Sequence, residues 1–214
     1  MNLFILDKNP ETAARIQCDK HIVKMTLESA QMLSTAHRVL DGTECKVPSK
    51  SGKRSIRHWT LDDEREDVLY KVAHLNHPCT VWTRTSNLNY QWHLIHFVAL
   101  VDEYKFRYGK YHKTMDLLPH LVKLPKNIEK GPLTPFVQAF GEQNQHLLND
   151  SDPIQAYREF YKTKKESFEM KWSKRPVPLW FKDPVAVKPT KVKKPRKAPV
   201  KTQVVEEISD GGTF

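Results

Sequence analysis

PETAARIQCDKHIVKMTLESAQMLSTAHRVL, residues 10–40, has no glycine or proline after its first position, and Asp41-Gly42 follows it. Proline just inside the start and glycine just past the end is the asymmetry of a helix, so the stretch predicts one long helix. On a 3.6-residue period two stripes lie side by side. Ile22, Met25, Ser29, Met32, Ala36 and Val39, with Cys18 and Leu33, form an apolar arc that faces a core. His21, Lys24, Glu28, Gln31, Thr35 and Arg38 follow the same spacing one residue away, and every one of them is polar. A solvated helix face usually repeats Glu and Lys, whereas this one is chemically mixed. His21 and Glu28 sit two turns apart on one face, where they can address one ligand. The stripe borders the core arc, so a neighbouring element can partly bury it and make Glu28 a useful base.

Outward from this helix, Leu3-Phe-Ile-Leu6 suits a short buried strand or an extended N-terminal arm. Residues 42–58, GTECKVPSKSGKRSIRH, read as a mobile basic loop. Leu61-Asp-Asp-Glu-Arg-Glu-Asp67 opens a second helix, with acidic residues where the helix dipole favours them, and Asn76-His-Pro78 ends it. Thr80–Thr85 is a short helix or strand, and Ser86 caps a long helix reaching Tyr108-Gly109. Four prolines between 110 and 150 leave only short helices and loops there. Asp152-Pro153 starts a final helix through about Lys171, and residues 175–181 close the globule in extended form. The class is mainly α: a single compact helical domain over 1–181, a short extended N-terminal segment and a tail.

The tail, 182–214, carries prolines at 184, 189, 195 and 199 and no aromatic residue between Phe181 and Phe214, a composition expected to stay disordered. It holds 8 basic and 4 acidic residues, a net +4, while residues 1–181 hold 27 and 21, a net +6. The total of +10 predicts an anionic partner, most simply nucleic acid. The Lys188–Lys197 run resembles tails that hold phosphate backbones without reading sequence; it serves equally as a solubilising segment. No 18-residue apolar run spans a membrane, and the apolar N-terminal stretch is too short for a secretory signal. Three cysteines give no disulfide framework. The expectation is a cytoplasmic, intracellular monomer.

Cys18/His21, His74/His77/Cys79 and His93/His96 have metal-like spacing but lie on three separate elements, so no metal is expected. The motifs of serine hydrolases, P-loop proteins and dinucleotide-binding folds do not occur. Trp82, Arg84, Tyr90 and Trp92 can stack on exposed bases or fill a core; Trp92 suits the core.

Asp19-Lys-His21, with Glu28 seven residues beyond the histidine, resembles the N-terminal helix of phage-type pyrimidine dimer DNA glycosylases with AP-lyase activity, the endonuclease V type. The close of the domain, Lys174-Arg175-Pro176 leading into Trp180-Phe181, is similar to theirs as well. The opening Met-Asn-Leu-Phe and the Cys18-Asp-Lys-His21 run also resemble uncharacterised phage proteins. The glycosylase resemblance implies an amine that attacks C1′ of an extruded nucleotide and forms a Schiff base, without metal or cofactor. It implies that Glu28 is the acid/base and that His21 positions phosphate or sugar. The sequence departs from that family in two places. The family nucleophile is the α-amine of a small residue exposed after methionine removal, whereas Asn2 follows Met1 here, so the expected amine is that of Met1, with the side-chain amine of Lys20 or Lys24 as the alternative. The family's arginines beside its glutamate are Leu27 and Gln31. Lys20, Lys24, Gln31, Arg38, Arg84, Lys174 and Arg175 are the expected nucleic-acid contacts, with duplex DNA as partner. A non-catalytic nucleic-acid-binding accessory protein, or a base- or nucleotide-modifying enzyme on the same scaffold, are the alternatives.

Overall fold

The computed structural model describes residues 1–49 and 51–182. The fold is mainly α. Its frame is two long helices packed on each other, α2 (Asp19–Asp41) and α5 (Asn87–Tyr108). The short α1 (Pro10–Arg15) lies on α5, and the single-turn α3 (Arg65–Val68) and the six-residue α4 (Pro78–Thr83) connect the two frame helices. A one-turn α6 (Leu118–Leu121), then α7 (Pro153–Lys162) and a one-turn α8 (Leu179–Lys182), complete the described helices. Ser86 accepts a hydrogen bond from the Asn89 amide at the start of α5, and Gly109 ends that helix at φ 73°. Both ends follow from local chemistry, because a serine oxygen satisfies a free first-turn N–H and glycine adopts left-handed backbone without strain.

Residues 10–40 are not one helix. The chain breaks at Ile16–Cys18 because distant groups take the backbone partners a continuous helix would use. The Cys18 amide donates to the Tyr161 hydroxyl (2.9 Å), the Asp19 amide to the Lys171 carbonyl (2.8 Å), and the Trp172 indole to the Ile16 carbonyl (2.8 Å). The expected helix from Leu61 to Asn76 shrinks to α3 for a related reason. The Arg38 guanidinium takes the carbonyls of Trp59, Glu66, Leu69 and Tyr70, and the Glu66 carboxylate bonds the Leu61 amide and Arg38. Those carbonyls are satisfied without helical pairing.

Residues 42–58 are not a loop. Strands β1 (Thr43–Pro48) and β2 (Ser55–Thr60) form an antiparallel hairpin, with Lys46 opposite Arg57 and Val47 opposite Ile56. Helix α7 ends at Lys162, where the Thr163 hydroxyl takes the Phe160 carbonyl, and continues only as a 3₁₀ turn to Glu166. The segment after Arg175 ends in the turn of α8 instead of remaining extended. The tail expected at 182–214 lies outside the described residues beyond Lys182.

The N-terminal arm is buried and has no strand partners, and it is not extended throughout: the backbone turns at Phe4 (φ 47°), where the Leu6 amide donates to the Phe4 carbonyl at 2.8 Å. Leu3, Ile5 and Leu6 have no exposed surface and pack with Ile22, Met25 and Tyr161. Burying such side chains contributes roughly 1.5–3 kcal/mol each, enough to offset roughly 1–2 kcal/mol of backbone entropy per residue. A second cluster joins Leu33, Tyr90, Phe97 and Leu121 at the far end of the frame. No described helix is long and apolar enough to cross a membrane.

Candidate active site

A cleft of about 520 Å³ opens where the arm crosses the N-terminal half of α2. Its floor is Met1, Asn2, His21, Met25 and Glu28; its rim includes His77, Gln143, Lys24 and Lys164, and Phe140, Phe160 and Phe168 form an aromatic wall. The volume lies in the range of small-ligand sites.

Glu28 is the hub. Its Oε2 lies 3.6 Å from the Met1 α-amine and accepts the Asn2 amide at 3.1 Å, while Oε1 pairs with Lys24 Nζ at 3.4 Å. The carboxylate side chain is 13% exposed, open enough for a ligand and shielded enough to strengthen its contacts. Asn2 fixes the arm. Its side-chain amide donates to the Ala139 carbonyl (2.8 Å), and its Oδ1 accepts from the Phe4 amide (2.9 Å). The Thr80 hydroxyl reaches Met1 Sδ at 3.5 Å, so both ends of Met1 are held.

His21 forms part of the floor as a neutral ring. Burial, then Lys24, Lys164 and Lys20, push its pKa down to about 3. The Tyr161 hydroxyl accepts from the Cys18 amide and lies 2.7 Å from His21 Nδ1, so it donates there and leaves the imidazole proton on Nε2. Phe4 stacks on the ring at 4.5 Å. His77 has the same tautomer for a different reason: its Nδ1 accepts the Cys79 amide at the start of α4 (3.2 Å). Burial lowers its pKa, and the Met1 amine and His74 lower it further. Lys164 is half-buried in the cleft wall, with its Nζ 3.9 Å from the Phe160 ring centre. Burial, reinforced by Lys24, lowers its pKa, a penalty on the charged form that an anion bound beside it would offset.

The structure brings Met1, His21, Lys24 and Glu28 into one cleft and places Lys20 at its edge, 4.4 Å over the Phe168 ring. The other expected contacts lie elsewhere. Arg38 is 1% exposed, and its donors go to four carbonyls and Glu66, so it cannot reach a phosphate. Gln31 is half-buried on the stripe outside the cleft. Arg84 follows α4, half-buried, with Nη1 lacking a partner. Lys174 donates to the Phe106 carbonyl, and Arg175 grips the Glu103 carboxylate with both edges of its fork, at 3.0 and 2.8 Å. Both belong to the far end of α5. His93 and His96 are core residues, and the described residues contain no cluster of three metal-ligand side chains.

Asn2, His77, Gln143 and Lys164 join the site without having been singled out for it. His77-Pro78 opening a helix was the readable signal, because a histidine at that position caps with one nitrogen and presents the other. Lys164 follows the last turn of α7, and nothing in its local sequence separates it from Lys162 or Lys165. No protein-family model, curated protein or solved structure matches the chain. The site's chemistry therefore stands on its own geometry.

Proposed function

We propose that the protein is a DNA N-glycosylase/AP-lyase acting on a damaged or modified base in duplex DNA through an amine Schiff base. The observation that carries this reading is the Met1 α-amine 3.6 Å from Glu28 in an open cleft. An α-amine as a class is less basic than a lysine side chain, so more of it is neutral and nucleophilic near pH 7. The amine attacks C1′ of the extruded nucleotide, the glycosidic bond breaks, and the base departs with its electron pair and takes up a proton. Glu28 accepts the proton lost by the attacking amine. Glu28 returns that proton to O4′ as the ring opens to the imine, and the carboxylate so regenerated takes a 2′ proton as the 3′ phosphate leaves. His77 and His21, each with its proton on Nε2, are donors for sugar or phosphate oxygens. Lys24 and Lys164 face the flanking phosphates, and Phe140, Phe160 and Phe168 offer rings for an extruded base.

Borohydride treatment of the protein with abasic-site duplex is expected to trap a covalent adduct that peptide mass analysis maps to Met1. Glu28→Gln is expected to slow strand cleavage by about 10²–10⁴-fold, the usual contribution of a general acid/base. One residue added ahead of Met1 displaces the amine and is expected to abolish trapping. No adduct on either abasic or dimer-containing duplex would overturn the reading.

A further inference from the structure

The hairpin at residues 43–60 is rich in exposed cations. An isolated two-stranded ribbon is marginal in water, and like charges directly opposite each other weaken a sheet. This ribbon nevertheless sets Lys46 opposite Arg57 on one face and continues into Lys53 and Arg54 at its turn. Arg57 is neutralised by Glu44, through contacts of 2.6 and 2.8 Å. Lys53 and Arg54 are exposed and make no ion pair among the described residues, and Lys46, also exposed, acts on the Glu44 carboxylate of the same face without contacting it. Among its described residues, only His58 and Trp59, at the base, are buried. The Arg38 guanidinium holds that base through the Trp59 carbonyl, so a fixed cation deep in the fold anchors a cationic ribbon projecting from it.

The ribbon stands away from the cleft. It leaves α2 at Gly42, and at 1.5 Å per residue that point lies about 21 Å along the helix from Glu28. On a duplex that length, which reaches only the foot of the ribbon, is about six base pairs. A two-stranded ribbon has the width that a DNA groove admits, and its exposed cations match the phosphate walls.

We infer that the β1–β2 ribbon is a second DNA-docking element, gripping phosphates of the duplex that flanks the reacting nucleotide through Lys46, Lys53 and Arg54. The inference rests on the proposed reading of duplex DNA as the substrate. It adds a requirement for flanking duplex that the cleft alone does not impose.

The test is anisotropy titration of the full chain with a 30-base-pair duplex across 50–300 mM KCl. Lys46→Gln/Lys53→Gln/Arg54→Gln is expected to flatten the slope of log affinity against log salt by about 2–3, one counterion per lost phosphate contact. Its affinity at 100 mM salt is expected to fall by on the order of 10–100-fold. The charge-keeping variant Lys46→Arg/Lys53→Arg/Arg54→Lys should retain the wild-type slope. Lys53→Gln/Arg54→Gln lies in the turn beyond the paired strands and keeps the test valid if the triple variant fails to fold; it should flatten the slope by about 1–2. Trimming the duplex to about three base pairs on each side should give wild type the slope of the triple variant. An unchanged slope in both neutralised variants would overturn the inference and leave the lysines as guards against strand-edge pairing. Borohydride trapping on the same duplexes separates the two readings. A flattened slope without any adduct keeps the ribbon as a docking element and removes the glycosylase, and an adduct with an unchanged slope does the reverse.

Discussion

Arg38 and Glu28 share one helical stripe and have opposite fates. Glu28 is stationed beneath the arm with an amine, an amide and a lysine around it. Arg38, further along α2, is enclosed by the 59–70 segment, whose carbonyls it satisfies. Replacing it with methionine leaves four carbonyls and a carboxylate without their donor. Arg38→Met is expected to cost about 3–5 kcal/mol in urea denaturation. Asn2→Ala tests the opposite end of the stripe. Loss of its contacts to Ala139 and Phe4 is expected to cost about 1–2 kcal/mol of stability. Single-turnover strand cleavage should fall by at least tenfold, because the amine is no longer held against Glu28. Equal activity in Asn2→Ala would mean that the arm's position does not matter for chemistry. The pairing of His21 with Glu28 was legible in the spacing. The division of the stripe into a cleft half and a buried half was not, because both halves have the same period and polarity.

Elements ended where local chemistry ended them in some places and where tertiary contacts did so in others. Ser86, Gly109 and Asp152 act within four residues of themselves, so α5 and the start of α7 could be read directly. The break at Ile16–Cys18 is made by Tyr161, Lys171 and Trp172, all more than a hundred residues away. Tyr161→Phe removes the acceptor of the Cys18 amide and the donor to His21. It is expected to cost about 1–3 kcal/mol by thermal or chemical melting, without joining α1 to α2, since the contacts of Lys171 and Trp172 persist. The hairpin was missed because its sequence is charged and rich in turn residues. Only the alternation Cys45, Val47 and Ile56, His58 on one face hints at a strand, and that face is short.

At the scale of the molecule, burial of neutral histidines ties stability to pH. His21 and His96 are depressed to about 3, His37 to about 4, and His93 lies well below its ordinary value, in each case chiefly by burial. Unfolding returns them to values near 6.5, so below that pH the unfolded chain binds more protons than the folded one. Their contribution is fully present above about pH 6.5 and is lost progressively toward pH 3–4. Asp19, Asp41, Glu66 and Glu103 are lowered while holding arginines, serine or backbone amides, and their contribution falls away below the ordinary carboxylate range. Both groups act in the same direction. The melting temperature is expected to be flat from pH 7 to 8 and to fall steeply between pH 6 and 4, with net proton uptake on unfolding at pH 5. A melting temperature independent of pH across that window would contradict the buried neutral imidazoles.

The sequence by itself determined the helical class, the ends of α5, the apolar arc of α2 and the presence of a mixed polar stripe carrying His21 and Glu28. Each of these depends on residues within a turn or two of one another, where propensity, capping and period act directly. Only the tertiary structure decided that the arm lays the Met1 amine against Glu28, that His77 and Lys164 complete the cleft, and that Arg38 is internal. Those outcomes depend on contacts such as Asn2 with Ala139 and Cys18 with Tyr161, which join residues far apart in the chain. Their energy comes from burying the arm and satisfying its backbone, and neither is encoded in any local window.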